Sequence, residues 1–127
     1  MIFSSTFPFS LGGGSGSGGV VFPGAAFYVQ GASQYSPKVA RVKFNSTPKA
    51  SSALAGDDAL NPTNYVFSGP AGYTLDHVAA VSGDPLSFDV YHTSNIAVGL
   101  WTVTVNNVLN PSNDALTAPI AASFSVL

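Results

Sequence analysis

Apolar side chains recur at every second position in segment after segment of this chain. In the stretch 39–44, Ala40, Val42 and Phe44 face one way while Arg41 and Lys43 face the other. Leu86, Phe88 and Val90 alternate with Ser87, Asp89 and Tyr91. Trp101, Val103 and Val105 alternate with Thr102, Thr104 and Asn106, and Ile120, Ala122, Phe124 and Val126 repeat the pattern near the C-terminus. Successive side chains of a strand point to opposite faces, so a period of two predicts half-buried antiparallel strands. Three more runs read as strands: residues 20–22 with 27–30, broken at Pro23-Gly24; residues 65–67; and residues 73–81. Clusters of Gly, Pro, Asn, Asp and Ser punctuate them. The long connection 45–62 has room for an Ala-rich helical turn near residues 53–60. No useful stretch carries the helical period, and no repeat recurs at fixed spacing, which argues against a solenoid or propeller. About seven short strands with close turn signals predict an all-β, immunoglobulin-like antiparallel β-sandwich.

Ahead of the sandwich, residues 12–19 contain only Gly and Ser. Such a run is a flexible linker that spans roughly 25 Å when extended. It follows an apolar tag with Ile2, Phe3, Phe7, Phe9 and Leu11. That composition is poor for a freely solvated tail. The expected organisation is therefore an arm, residues 1–19, and one sandwich, residues 20–127. The arm is expected to dock on a neighbouring subunit or on another copy of the chain, giving a homo-oligomer or a larger assembly. The N-terminus lacks a positive region ahead of an apolar core, and no long apolar span occurs, so neither a signal peptide nor a membrane span is expected.

Charge narrows the partners. Only 8% of residues are charged, with 4 Lys+Arg and 6 Asp+Glu, against about 25% in ordinary soluble proteins. That leaves no basic footprint for nucleic acid and no polybasic cluster for an anionic membrane. A polar surface of Ser, Thr, Asn and Gly offers little repulsion between copies and suits close packing.

The same scarcity limits chemistry. With no cysteine, disulfides and thiolate metal sites are excluded. His77 and His92 could recruit Asp76, Asp84 or Asp89, but no zinc-ligand spacing occurs. Asp76 and His77 are neighbours on a strand and are expected to face opposite ways. Asp57, Asp58 and Asp114 could converge on calcium, yet no D-x-D-x-D-G pattern is present, and solvated loop carboxylates are expected instead. The G-x-S-x-G pattern falls only within the Gly/Ser linker, not at a strand-to-helix elbow. No Glu is present, so the supply of acid–base carboxylates is six scattered Asp. No enzyme, cofactor or metal site is expected. Alternation sends most Phe residues to the core and leaves Tyr28, Tyr35, Tyr73 and Tyr91 as candidates for an exposed sugar platform.

The segment Asp58-Ala59-Leu60-Asn61-Pro62-Thr63-Asn64-Tyr65-Val66-Phe67-Ser68-Gly69 resembles the A-x-N-P-x-N-Y-x-x-S-G segment of bacterial Ig-like domains. These include the SwmB-like and related surface-layer or adhesin modules. Gly99-Leu100-Trp101-Thr102-Val103-Thr104-Val105-Asn106-Asn107-Val108 resembles their G-x-Y-T-V-T-V-x-x-V strand, with Trp101 in place of Tyr as an inward anchor. Residues 39–44 are similar to their V-x-V-x-F strand, and the likeness runs over residues 26–127. Residues 109–116 follow the family's turn in outline but lack its Asp and Gly at 110–113, which weighs against a family-like metal loop. The resemblance implies spacers, display modules and binding modules on cell surfaces and phage virions. Taken with a start at Met1, the absent export signal and the arm, it leads to the expectation of a non-enzymatic structural or accessory protein of a bacteriophage particle. The alternative is a bacterial surface or adhesin-type module that binds a glycan or protein. In that case Asp57, Asp58, Tyr73 and Asn113 are the loop residues expected to carry recognition.

Overall fold

The computed structural model describes residues 26–127. Seven strands form among them: β1 (Val29–Ser36), β2 (Val39–Phe44), β3 (Tyr65–Ser68), β4 (Leu75–Val81), β5 (Asp84–His92), β6 (Gly99–Val105) and β7 (Ala121–Val126). They make two antiparallel sheets with orders β1-β2-β5-β4 and β3-β6-β7. This division of seven strands is that of a constant-type immunoglobulin sandwich. Residues 20–22 lie outside the described part, as do the tag residues Ile2, Phe3, Phe7, Phe9 and Leu11.

The core fills as the alternation predicts. Trp101, Val103 and Val105 of β6 are buried, as are Ala40, Val42 and Phe44 of β2 and Phe124 and Val126 of β7. Phe44 links Phe27, stacked at 5.8 Å, to Phe88, edge-on at 5.7 Å. Ile120 precedes β7 rather than joining it and stays 37% exposed.

Several boundaries differ from the sequence reading. The first strand runs Val29–Ser36, not 27–30. Gly31 sits at a register shift, and a second shift falls between Gln34 and Ser36, so the period of two is broken along that strand. Phe27 lies ahead of it, and its carbonyl accepts from the Thr117 N–H (2.7 Å) and hydroxyl (3.1 Å), which ties the two sheets together at one edge. Tyr73 lies before β4, which starts at Leu75. No helix forms over residues 53–60; one 3-10 turn, Pro62–Asn64, is the helical piece among the described residues.

The outer face of β5 was expected to be solvated, yet Ser87 and Asp89 are buried. β5 is flanked by β2 and β4, and Arg41 stands directly opposite Asp89 in the register. The guanidinium covers the carboxylate with two hydrogen bonds, 2.7 and 3.0 Å, while its other side lies 3.8 Å from the Tyr35 ring centre. A bidentate pair with a stacked aromatic is stronger than an isolated surface ion pair.

Candidate functional site

The connection between β2 and β3 is a locked loop rather than a free one. Asp58 is 1% exposed and its carboxylate is the hub. One oxygen accepts from the N–H groups of Ser51 (2.7 Å) and Ser52 (3.1 Å), and the other from the Leu60 N–H (2.8 Å). Asn61 caps the 3-10 turn by accepting from the Thr63 N–H at 3.0 Å, with Pro62 following as a first-turn proline. The Asn64 amide donates to the carbonyls of Gly56 and Asp58, and the Tyr65 hydroxyl donates to Ala59 at 2.7 Å. Burial, and then the Asp58 charge, push the Tyr65 hydroxyl well above the ordinary tyrosine range, so it stays a neutral donor. The segment that carries the family resemblance is thus a set of side chains that satisfy loop main chain.

That geometry sorts the four expected recognition residues. Asp58 cannot meet a ligand, because it is buried and its oxygens are taken by main-chain donors; the sequence reading of it as a surface group is corrected here. Asp57 is half-exposed and paired with Lys49 at 2.8 Å, a partner that lowers its carboxyl pKa. Asn113 is exposed, with a left-handed φ of 65°, in a turn where its N–H donates to the Asn110 carbonyl at 2.8 Å. The Leu109 N–H bonds the Asp57 carbonyl, so Asp57 and the Asn113 turn share one end of the sandwich, where β3 begins and β6 ends. Tyr73 lies at the opposite end.

His77 also departs from expectation. Its Nδ1 lies 2.8 Å from the Asp76 carboxylate, although strand neighbours normally face apart. A register shift between Leu75 and His77 bulges β4 and brings the two together. The ring then stacks on Tyr91 at 4.3 Å. Among the described residues no three His, Cys, Asp or Glu come together as a metal-ligand group.

At the Tyr73 end the structure forms a cleft of about 360 Å³, lined by Tyr73, Thr74, His92, Thr93, Ser94 and Asn95, with Trp101 and Ile96 behind. The Thr93 N–H bonds Thr74 at 2.9 Å and the Ile96 N–H bonds Pro37 at 2.8 Å, which fixes both walls. The Tyr73 hydroxyl accepts the Phe67 N–H at 3.0 Å, so it closes one donor of the edge strand β3. His92 is 4% exposed, packs edge-on at 4.6 Å against Phe67, and its buried Nε2 has no hydrogen-bond partner among the described residues. Sequence reasoning named Tyr73, and His92 only as a possible metal ligand, but missed Thr74, Thr93, Ser94 and Asn95. The sequence run Thr93-Ser94-Asn95 signals only a turn, and nothing in it reveals which loop it faces.

Burial lowers the His92 pKa below the ordinary histidine value. The unfolded chain therefore binds the proton more readily than the native state. Stability is complete above pH ~6.5 and declines as pH falls from there through the folded pKa, at up to about 1.4 kcal/mol per pH unit. Urea unfolding at neutral and mildly acidic pH is expected to show this decline, and His92→Phe is expected to flatten it.

No family model matches the chain, and no curated protein matches it. Solved structures do. Surface layer protein SbsC, domains 1–6, aligns at 15% identity with a TM-score of 0.64, covering 81% of this chain and 14% of that one. The N-terminal part of the bacterial S-layer protein SbsC aligns at 13% identity with a TM-score of 0.64, covering 80% of this chain and 23% of that one. The S-layer protein rSbsC(31–844) gives 15% identity and a TM-score of 0.63. The chain thus spans under a quarter of each of these proteins, and at such identities the likeness is one of fold: an all-β sandwich similar to single domains of S-layer proteins.

Proposed function

We propose that this chain is a non-enzymatic structural module of a bacterial cell surface. The observation that carries the reading is its fold likeness to S-layer protein domains. A second feature supports it. β3, β6 and β7 contain no charged residue, and their outward positions hold Ser68, Thr102, Thr104, Ser123 and Ser125 with Val66 and Leu100. Burying such a face against a neighbouring module desolvates no ion. The resemblance to bacterial Ig-like modules points the same way. In this reading the tag residues Ile2, Phe3, Phe7, Phe9 and Leu11 anchor the module to a neighbour through the Gly/Ser linker.

A bacteriophage component is the second reading, supported by the tag-and-linker N-terminus and by the resemblance to modules that occur on phage virions as well as on cell surfaces. Both readings give the arm an assembly role. Sedimentation velocity of the full-length chain beside a chain starting at Ala26 tests it. The full-length chain is expected to associate and the shorter one to sediment as a monomer. Identical monomers would remove the arm as a self-assembly element.

A further inference from the structure

We propose that the cleft between the β3–β4 and β5–β6 loops is a binding site for a neutral saccharide. This deepens the surface-module reading by naming what such a module would hold.

The cleft's volume, about 360 Å³, falls within the range of small-molecule sites. Among the described residues no charged side chain lines it. A charged ligand would give up hydration there without meeting a counter-charge. A wholly apolar ligand would strip water from Thr74, Ser94 and Asn95, which are exposed residues of the lining, and would leave their polar groups unpaired. A ligand with many hydroxyls and one carbon-rich face satisfies both conditions, and a neutral sugar ring has that form. Its hydroxyls would pair with Thr74, Ser94 and Asn95, and its C–H face would lie on the Tyr73 ring.

Tyr73 is prepared for that role. It is 37% exposed, yet its hydroxyl is held by the Phe67 N–H and its ring is wedged edge-on against Phe67 at 5.4 Å and Trp101 at 6.4 Å. An aromatic face already fixed in place costs little further entropy on binding. The main-chain bond from Thr93 to Thr74 joins the two walls, and that from Ile96 to Pro37 holds the β5–β6 loop to the β1–β2 turn. His92, which also lines the cleft, is fixed edge-on against Phe67 at 4.6 Å.

The test is an amide-resonance titration of the full-length chain with cellobiose, maltose and N,N′-diacetylchitobiose, and with sialyllactose as the anionic contrast. Saturable shifts at Tyr73, Thr74, Thr93, Ser94 and Asn95 are expected with at least one neutral probe. Asn95→Ala changes an exposed loop side chain and is expected to weaken that binding roughly tenfold, while Ser112→Ala, an exposed position in the turn at the other end of the sandwich, leaves binding unchanged. No saturable shift at these amides with any neutral probe overturns the proposal, as does tighter binding of sialyllactose. The surface reading fails separately: a protein found away from the cell surface sinks it whatever the titration shows, and a silent titration leaves it standing.

Discussion

Trp101→Ala is expected to remove about 3–5 kcal/mol of stability, the usual range for emptying a buried Trp site. The indole is 1% exposed within the core, behind the cleft, and donates to the Ala97 carbonyl at 2.8 Å. It packs edge-on against Phe67 and Tyr73, each at 6.4 Å. Its room is set by Gly69: a Cβ there would sit 2.2 Å from the indole ring. Gly69→Ala is therefore expected to cost about 1–3 kcal/mol by overpacking, from the opposite direction to the cavity. A domain with about 5–15 kcal/mol in total keeps little margin after losing Trp101. Urea unfolding followed by circular dichroism measures both changes. A loss below about 1 kcal/mol for Trp101→Ala would contradict its role as the inter-sheet anchor.

Asp58→Ala is expected to cost about 3 kcal/mol or more, because hydrogen bonds to a charged group contribute about 1.5–3 kcal/mol each and stranded buried donors add to the loss. The N–H groups of Ser51, Ser52 and Leu60 would all lose their acceptor. Asp58→Asn keeps one oxygen but turns an NH₂ group toward the remaining donors, so it is expected to recover only part of the loss. Hydrogen exchange at the Leu60 amide should quicken in both variants. Were Asp58 a recognition residue on a solvated loop, both substitutions would leave stability within about 0.5 kcal/mol.

The contrast between Trp101 and Asp58 shows what the sequence exposes and what it hides. β2 and β6 are half-buried strands without bulges, so their period of two appears directly in residues 39–44 and 101–105. The first strand is less legible, because its register shifts at Gly31 and again before Ser36 and breaks the period of two. Asp89 and Ser87 look solvated by alternation, and only their pairing with β2 reveals Arg41 as the cover. Asp58 looks like any loop carboxylate, since its donors are main-chain groups that no side-chain pattern records. Asn61 and Asn64 have the chemistry of turn formers in any sequence, although nothing local shows the carbonyls that Asn64 holds. The cleft was the least legible feature. It depends on the β3–β4 and β5–β6 loops meeting, which the sheet topology decides and no local motif announces.

The placement of this module is most directly tested by immunogold electron microscopy with an antibody to the sandwich, applied to intact source cells and to the particles they release. Label is expected over the outer surface of unpermeabilised cells. Label confined to phage particles, or visible only after the cells are opened, would contradict the surface-module account.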